Sequence, residues 1–214
     1  MTRRRNLVAL LLVLLVAGGA TAAWLWSGSS SQAAAPAEPR EGEASAVFAG
    51  GCFWCTESDF DHIPGVISTT SGYTGGKTAN PTYEQVSAGD TGHIEAVRVV
   101  YDPRQVSYAA LSERFFRTID PIDDGGSFCD RGYQYRSAFF VADEEERRIA
   151  TLARDQAAQG LGRPVATLIL PDAAFYPAED YHQDYYRKNP AKYRFYRWKC
   201  GREQRLREVW GEAK

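Results

Sequence analysis

The chain has 214 residues, 44% of them hydrophobic, with a formal net charge of −2. That is room for one medium-sized domain around a real core, and it is not the composition of a disordered or fibrous chain. Near-balanced charge gives no electrostatic reason for nucleic acid to be a partner, and none is expected.

Arg3, Arg4 and Arg5 precede an apolar or small-residue run over 7–26 in which Thr21 is the only polar side chain. Twenty such residues can span a bilayer as one helix, with the arginines on the cytoplasmic side and Trp24 and Trp26 at the far interface. Ala20-Thr21-Ala22 also fits a small-x-small cleavage site, so a signal anchor and a cleaved signal peptide both remain open, the anchor being preferred. A lipid-modified amino terminus is excluded, because no cysteine lies in or just after the run. Residues 27–45 carry no aliphatic side chain larger than alanine and read as a flexible tether. The folded unit is expected over 46–214, on the exported (periplasmic or extracytoplasmic) side, tethered to the membrane or secreted.

The domain opens on a short apolar stretch, 46–49, followed by Gly50-Gly51 and Cys52-Phe53-Trp54-Cys55. The glycine pair permits a sharp turn into a helix reaching about His62, where Ile63-Pro64-Gly65 stops it. A thiol on that first turn meets the positive end of the helix dipole, which predicts a lowered pKa for Cys52. Phe53 and Trp54 would supply an apolar wall. The plainer alternative is a pair of ordinary buried cysteines.

A strand over 66–70 is expected next, emptying into a glycine-rich loop over 71–76 that lacks the ending a phosphate cradle needs. Residues 80–83 read as a turn presenting an exposed Tyr83. Along the strand predicted over 94–101, Glu95 shares a face with Val97, Val99 and Tyr101 and is therefore expected to be partly buried, which raises a carboxyl pKa; solvent exposure or pairing with Arg98 is the alternative. Ser107 caps a helix whose apolar positions Tyr108, Leu111, Phe115 and Ile119 follow helical spacing. A polar loop over 123–132 carries Cys129 and Asp130. A strand over 137–141, a helix from Asp143 to about Gly160 with a capping box at Glu146, and a strand over 164–170 complete the alternation. The basic and aromatic stretch 192–214 reads as a packed terminal segment with a solvated basic face rather than an RNA-binding tail. Alternating strands and helices without a GxGxxG turn indicate an α/β or α+β sandwich.

Four cysteines (Cys52, Cys55, Cys129 and Cys200) allow three disulfide pairings. A redox relay competes with structural bridging, because a domain of this size does not need staples. A zinc site made from all four is a weaker possibility, only one close pair being present.

Gly-Gly-Cys52-Phe53-Trp54, the 72–76 loop, the 80–86 segment, Gly92-His93-Ile94-Glu95-Ala96-Val97, Gln134-Tyr135-Arg136-Ser137 and Ala178-Glu179-Asp180-Tyr181-His182-Gln183 occur in this order. In this the chain resembles the peptide methionine sulfoxide reductase A family over essentially all of 46–182. The resemblance implies a ferredoxin-like two-layer α/β sandwich with a mixed sheet that reduces the S epimer of methionine sulfoxide, free or in proteins. It also implies roles: Cys52 as nucleophile, Glu95 as general acid, Tyr83, Tyr135 and Asp130 around the sulfoxide oxygen, and Phe53 and Trp54 around the S-methyl group. A second thiol must then condense with the Cys52 sulfenic acid. Cys200, in the C-terminal segment where many members carry a resolving cysteine, is expected first, then Cys55, then Cys129; Cys55 and Cys129 depart from the commonest family pattern. A thioredoxin-like donor, no metal, no organic cofactor and a monomeric state are expected. The rivals are a general thiol–disulfide oxidoreductase using Cys52 and Cys55, and a disulfide-stapled binding domain.

Overall fold

The computed structural model describes residues 39–211. The apolar run 7–26 and most of the tether lie outside these residues; among the described residues no helix is long and apolar enough to cross a membrane.

The chain runs β1 (Ala44–Gly50), α1 (Phe53–Asp61), β2 (Val66–Thr74), α2 (Tyr83–Ala88), β3 (Ile94–Tyr101), α3 (Tyr108–Thr118), a small hairpin of β4 (Gly126–Ser127) and β5 (Asp130–Arg131), and β6 (Ser137–Val141). It continues through α4 (Glu144–Leu161), β7 (Leu168–Pro171), β8 (Tyr176–Pro177), α5 (Tyr185–Lys188), α6 (Pro190–Lys199) and α7 (Arg202–Trp210). Six strands form one mixed sheet in the order β7-β6-β1-β3-β2-β8. Only the β6–β7 pair is parallel. This is the expected α+β architecture.

Strand parity separates two apolar layers. Phe48, Val97, Val99, Tyr101 and Phe139 face Phe60, Leu111, Phe115 and Ala150 from the helices, while Val47, Ala49, Ile94, Ala96 and Phe140 pack on the opposite side with Leu168, Leu170 and Phe175. Phe48 sits among Phe60, Phe115 and Phe139 at centroid separations of 4.7–5.6 Å, the range in which aromatic pairs add to plain burial.

Several expectations shift. The strand expected over 66–70 extends to Thr74, taking in what reads as a glycine loop, because Gly72 lies against β8: a Cβ there would fall 2.4 Å from Phe175 Cζ and 2.6 Å from the Tyr176 carbonyl. Residues 80–83 lead into a helix, with Thr82 and Gln85 forming a reciprocal capping box, so Tyr83 is half-buried at a helix start rather than exposed. The strand expected from 164 begins only at Leu168; the Ala166 N–H instead donates to the Pro121 carbonyl. The basic face of α6 and α7 is not all solvated. Arg197 and the buried Arg202 both pair with Asp59 on α1, at 2.8 and 3.4 Å.

Candidate active site

Gly51 turns β1 into α1 with φ +86°, and a side chain there would strike Ser127, 2.4 Å from its Cβ. The turn leaves Cys52 as the residue before the helix, its carbonyl accepting from the Cys55 and Thr56 N–H groups. The free N–H at the first helical position, Phe53, donates to Glu95 Oε2 at 3.0 Å. A helix start has unpaired donors, and here one of them is met by a carboxyl from the middle of the sheet.

Glu95 is 2% exposed. Burial dominates its titration and moves it to about 8, against the opposing pull of the Phe53 N–H. Arg98 lies on the other face of β3, over the Phe175 ring. The carboxyl is therefore a neutral acid at pH 7.

Cys52 and Cys55 are both free and buried, and they share a hydrogen bond. Burial pushes Cys52 well above the usual thiol range, reinforced by Cys55, Glu95 and Asp130. The helix-dipole expectation of a lowered Cys52 pKa is thus corrected: desolvation by burial is the largest influence on the thiol and raises it. Cys55 moves the other way, to about 7, because Cys52 donates to it and Arg202 and Arg197 face it.

Cys52, Phe53, Trp54, Tyr83, Glu95, Asp130 and Tyr135 line one cavity of ≈ 60 Å³. All of the residues expected around the nucleophile and substrate therefore meet in one place. Burial holds Tyr83 up to about 12 and raises Tyr135 further, keeping both phenols as donors. Trp54 stacks on Tyr185 with centroids 3.7 Å apart, and its Nε1–H donates to His182 Nδ1 at 2.9 Å. Glu179 accepts from the Tyr83 N–H and the Tyr73 hydroxyl, both at 2.9 Å, anchoring the start of α2.

Cys129 and Cys200 are bonded to each other. Their sulfurs and an Asp130 oxygen lie within 4.8 Å of one another; while bridged, the two sulfurs cannot serve the four-cysteine zinc alternative. Cys129 is the exposed partner of the bridge and Cys200 the half-buried one.

Sequence reasoning missed Tyr196, the eighth residue lining the cavity. Its stretch looked like a basic, aromatic tail. The available signal is Pro190 at the first turn of α6, which sets a helix whose buried Tyr193 and half-buried Tyr196 are three residues apart.

A family model described as peptide methionine sulfoxide reductase matches residues 44–214. The chain belongs to the peptide methionine sulfoxide reductase A family. It is 52% identical to MsrA 2 of Rhizobium meliloti (strain 1021) over 167 residues, 78% of this chain and 83% of the relative. It is 51% identical to MsrA 2 of Caulobacter vibrioides over 180 residues, 84% of this chain and 91% of that protein. Among solved structures, MsrA of Corynebacterium diphtheriae superposes with a TM-score of 0.62 at 38% identity, covering 71% of this chain and 77% of that one. Reduced Mxr1 from Saccharomyces cerevisiae does so with a TM-score of 0.70 at 29% identity, covering 75% and 94%. This reductase is therefore an oxidoreductase acting on methionine sulfoxide, and its free pair Cys52 and Cys55 fits a disulfide relay.

Proposed function

We propose that the reductase acts on the S epimer of methionine sulfoxide in exported proteins, with Cys52 as nucleophile and Glu95 as general acid. The observation that carries this reading is the neutral Glu95 carboxyl, bonded to the Phe53 N–H and lining one cavity with Cys52. Sulfoxide oxygen departs only if it is protonated. Glu95, Tyr83 and Tyr135 offer it protons or hydrogen bonds, Phe53 and Trp54 receive the S-methyl group, and Asp130 bounds the cavity. Sulfoxide plus the Cys52 thiol gives thioether plus Cys52 sulfenic acid.

Cys55 then condenses with the sulfenic acid, forming a Cys52–Cys55 disulfide and water. Its contact with Cys52 and its titration at about 7 support placing it first, ahead of Cys200, which is engaged with Cys129. Two thiols at 129 and 200 pass two electrons and two protons to the inner disulfide, leaving the outer bridge. A thioredoxin-type dithiol reduces that bridge by attacking the exposed Cys129. Yeast Mxr1 has been solved in complex with Trx2, and a donor of that kind is proposed here.

Export is supported by the apolar run behind Arg3, Arg4 and Arg5 and by a disulfide in the folded domain. The full chain with dithiothreitol is expected to consume methionine S-sulfoxide, to leave the R epimer untouched, and to lose activity on Cys52→Ser. Equal use of both epimers, or an active Cys52→Ser protein, would overturn the assignment.

A further inference from the structure

We propose that Tyr196 is a positioning residue of this reductase, its hydroxyl fixing the Asp130 carboxylate beside Cys52, and that the Cys129–Cys200 bridge staples together the two segments that make this contact. The inference rests on the function proposed above and adds a residue and a coupling to it.

The Tyr196 hydroxyl donates to Asp130 Oδ2 at 2.5 Å. It lines the same cavity as Cys52 and that carboxylate, and its ring meets Trp54 edge-on at 5.7 Å. Burial keeps the phenol protonated, so it can satisfy a carboxylate that would otherwise stand half-buried with no donor of its own. Both ends of this contact are adjacent to the outer cysteines. Asp130 follows Cys129 directly, and the Cys200 N–H donates to the Tyr196 carbonyl at 3.0 Å, one helical turn on.

The bridge therefore joins the chain next to Asp130 to the chain next to Tyr196 across 71 residues of sequence. Arg202 supports the same junction, stacking on Phe128 at 4.3 Å and pairing with Asp59. When the outer pair is oxidised, the Tyr196–Asp130 contact is held. When a dithiol delivers two electrons and two protons to that pair, the covalent half of the clamp is released and the junction rests on non-covalent contacts such as those of Arg202 and Arg197.

The test measures two quantities on the full chain: the single-turnover rate with a methionine sulfoxide substrate, and the pH midpoint for alkylation of Cys52. Tyr196→Phe keeps the ring and removes the hydroxyl. It is expected to slow sulfoxide reduction about tenfold or more, the scale of one lost hydrogen bond to a charged group, and to raise the alkylation midpoint, because Asp130, whose charge opposes ionisation of Cys52, loses the donor that offsets it. Asp130→Asn is expected to lower the midpoint, because it removes a negative charge that opposes ionisation of Cys52. Opposite signs would not follow from general loosening of the fold. The double variant Cys129→Ser/Cys200→Ser is expected to shift the midpoint in the direction of Tyr196→Phe by a smaller amount. A Tyr196→Phe protein with the wild-type rate and midpoint overturns the positioning role, and an unshifted double variant overturns the staple. Wild-type protein with no sulfoxide reduction would instead sink the underlying function.

Discussion

Replacing Glu95 with glutamine tests the acid at the centre of the site, because the amide keeps an oxygen for the Phe53 N–H and nearly the same volume while giving up the proton. Moving a carboxyl from its ordinary 4.5 to about 8 makes its ionised form on the order of 5 kcal/mol less favourable in the folded protein than in the unfolded chain, at ~1.36 kcal/mol per pKa unit. The sign follows from proton counting. Between pH 4.5 and about 8 the native state holds a proton that the unfolded chain releases, so stability falls as pH rises through that window. Activity has the same upper edge: the acid is present below about 8 and lost above it. Glu95→Gln is therefore expected to slow sulfoxide reduction by about 10²–10⁴-fold, the usual contribution of a positioned acid, and to abolish the alkaline limb. It is also expected to be more stable than wild type at pH 9, relative to their difference at pH 5. Single-turnover kinetics and denaturant titrations at the two pH values read both effects. A variant within a few-fold of wild-type rate, or one that keeps the limb near pH 8, would refute the assignment.

The relay predicts a stoichiometry. Fully reduced enzyme, freed of donor and mixed with excess substrate, is expected to convert two sulfoxides per chain before stopping, and Cys129→Ser only one; quench-flow with product analysis distinguishes these outcomes. Gly72→Ala forces a methyl group into the Phe175 ring and the Tyr176 carbonyl, and it is expected to cost about 1–3 kcal/mol, the range for overpacking. A thermal melt superimposable on wild type would show that β8 yields instead.

What the sequence made readable was set by local rules. β3 shows its parity and α3 and α4 their side-chain caps: Ser107 accepts from the Ala110 N–H and Asp143 from the Glu146 N–H, as their spacing implies. Glu95 was placed on its face by parity alone. α2 was missed although its capping box, Thr82 with Gln85, stood in the sequence, because Asn80-Pro81 drew attention to a turn. The reach of β2 through Gly72 depends on Phe175, about a hundred residues away, and no local pattern reports that. The Cys52 titration was misjudged for a related reason: the helix end is visible in the sequence, whereas the burial that raises the thiol comes from residues distant in the chain, which meet it only through the tertiary fold.

Cys52 and Tyr196 stand near opposite ends of the domain, and Asp59 receives two arginines from the last two helices. During vectorial synthesis the proposed nucleophile therefore emerges long before its cover, and a nascent chain carries an open pair of sulfurs until the final fifth has left the ribosome. Competence is conferred late, and proteolytic trimming back past α6 would remove one wall of the catalytic chamber while sparing every strand of the sheet.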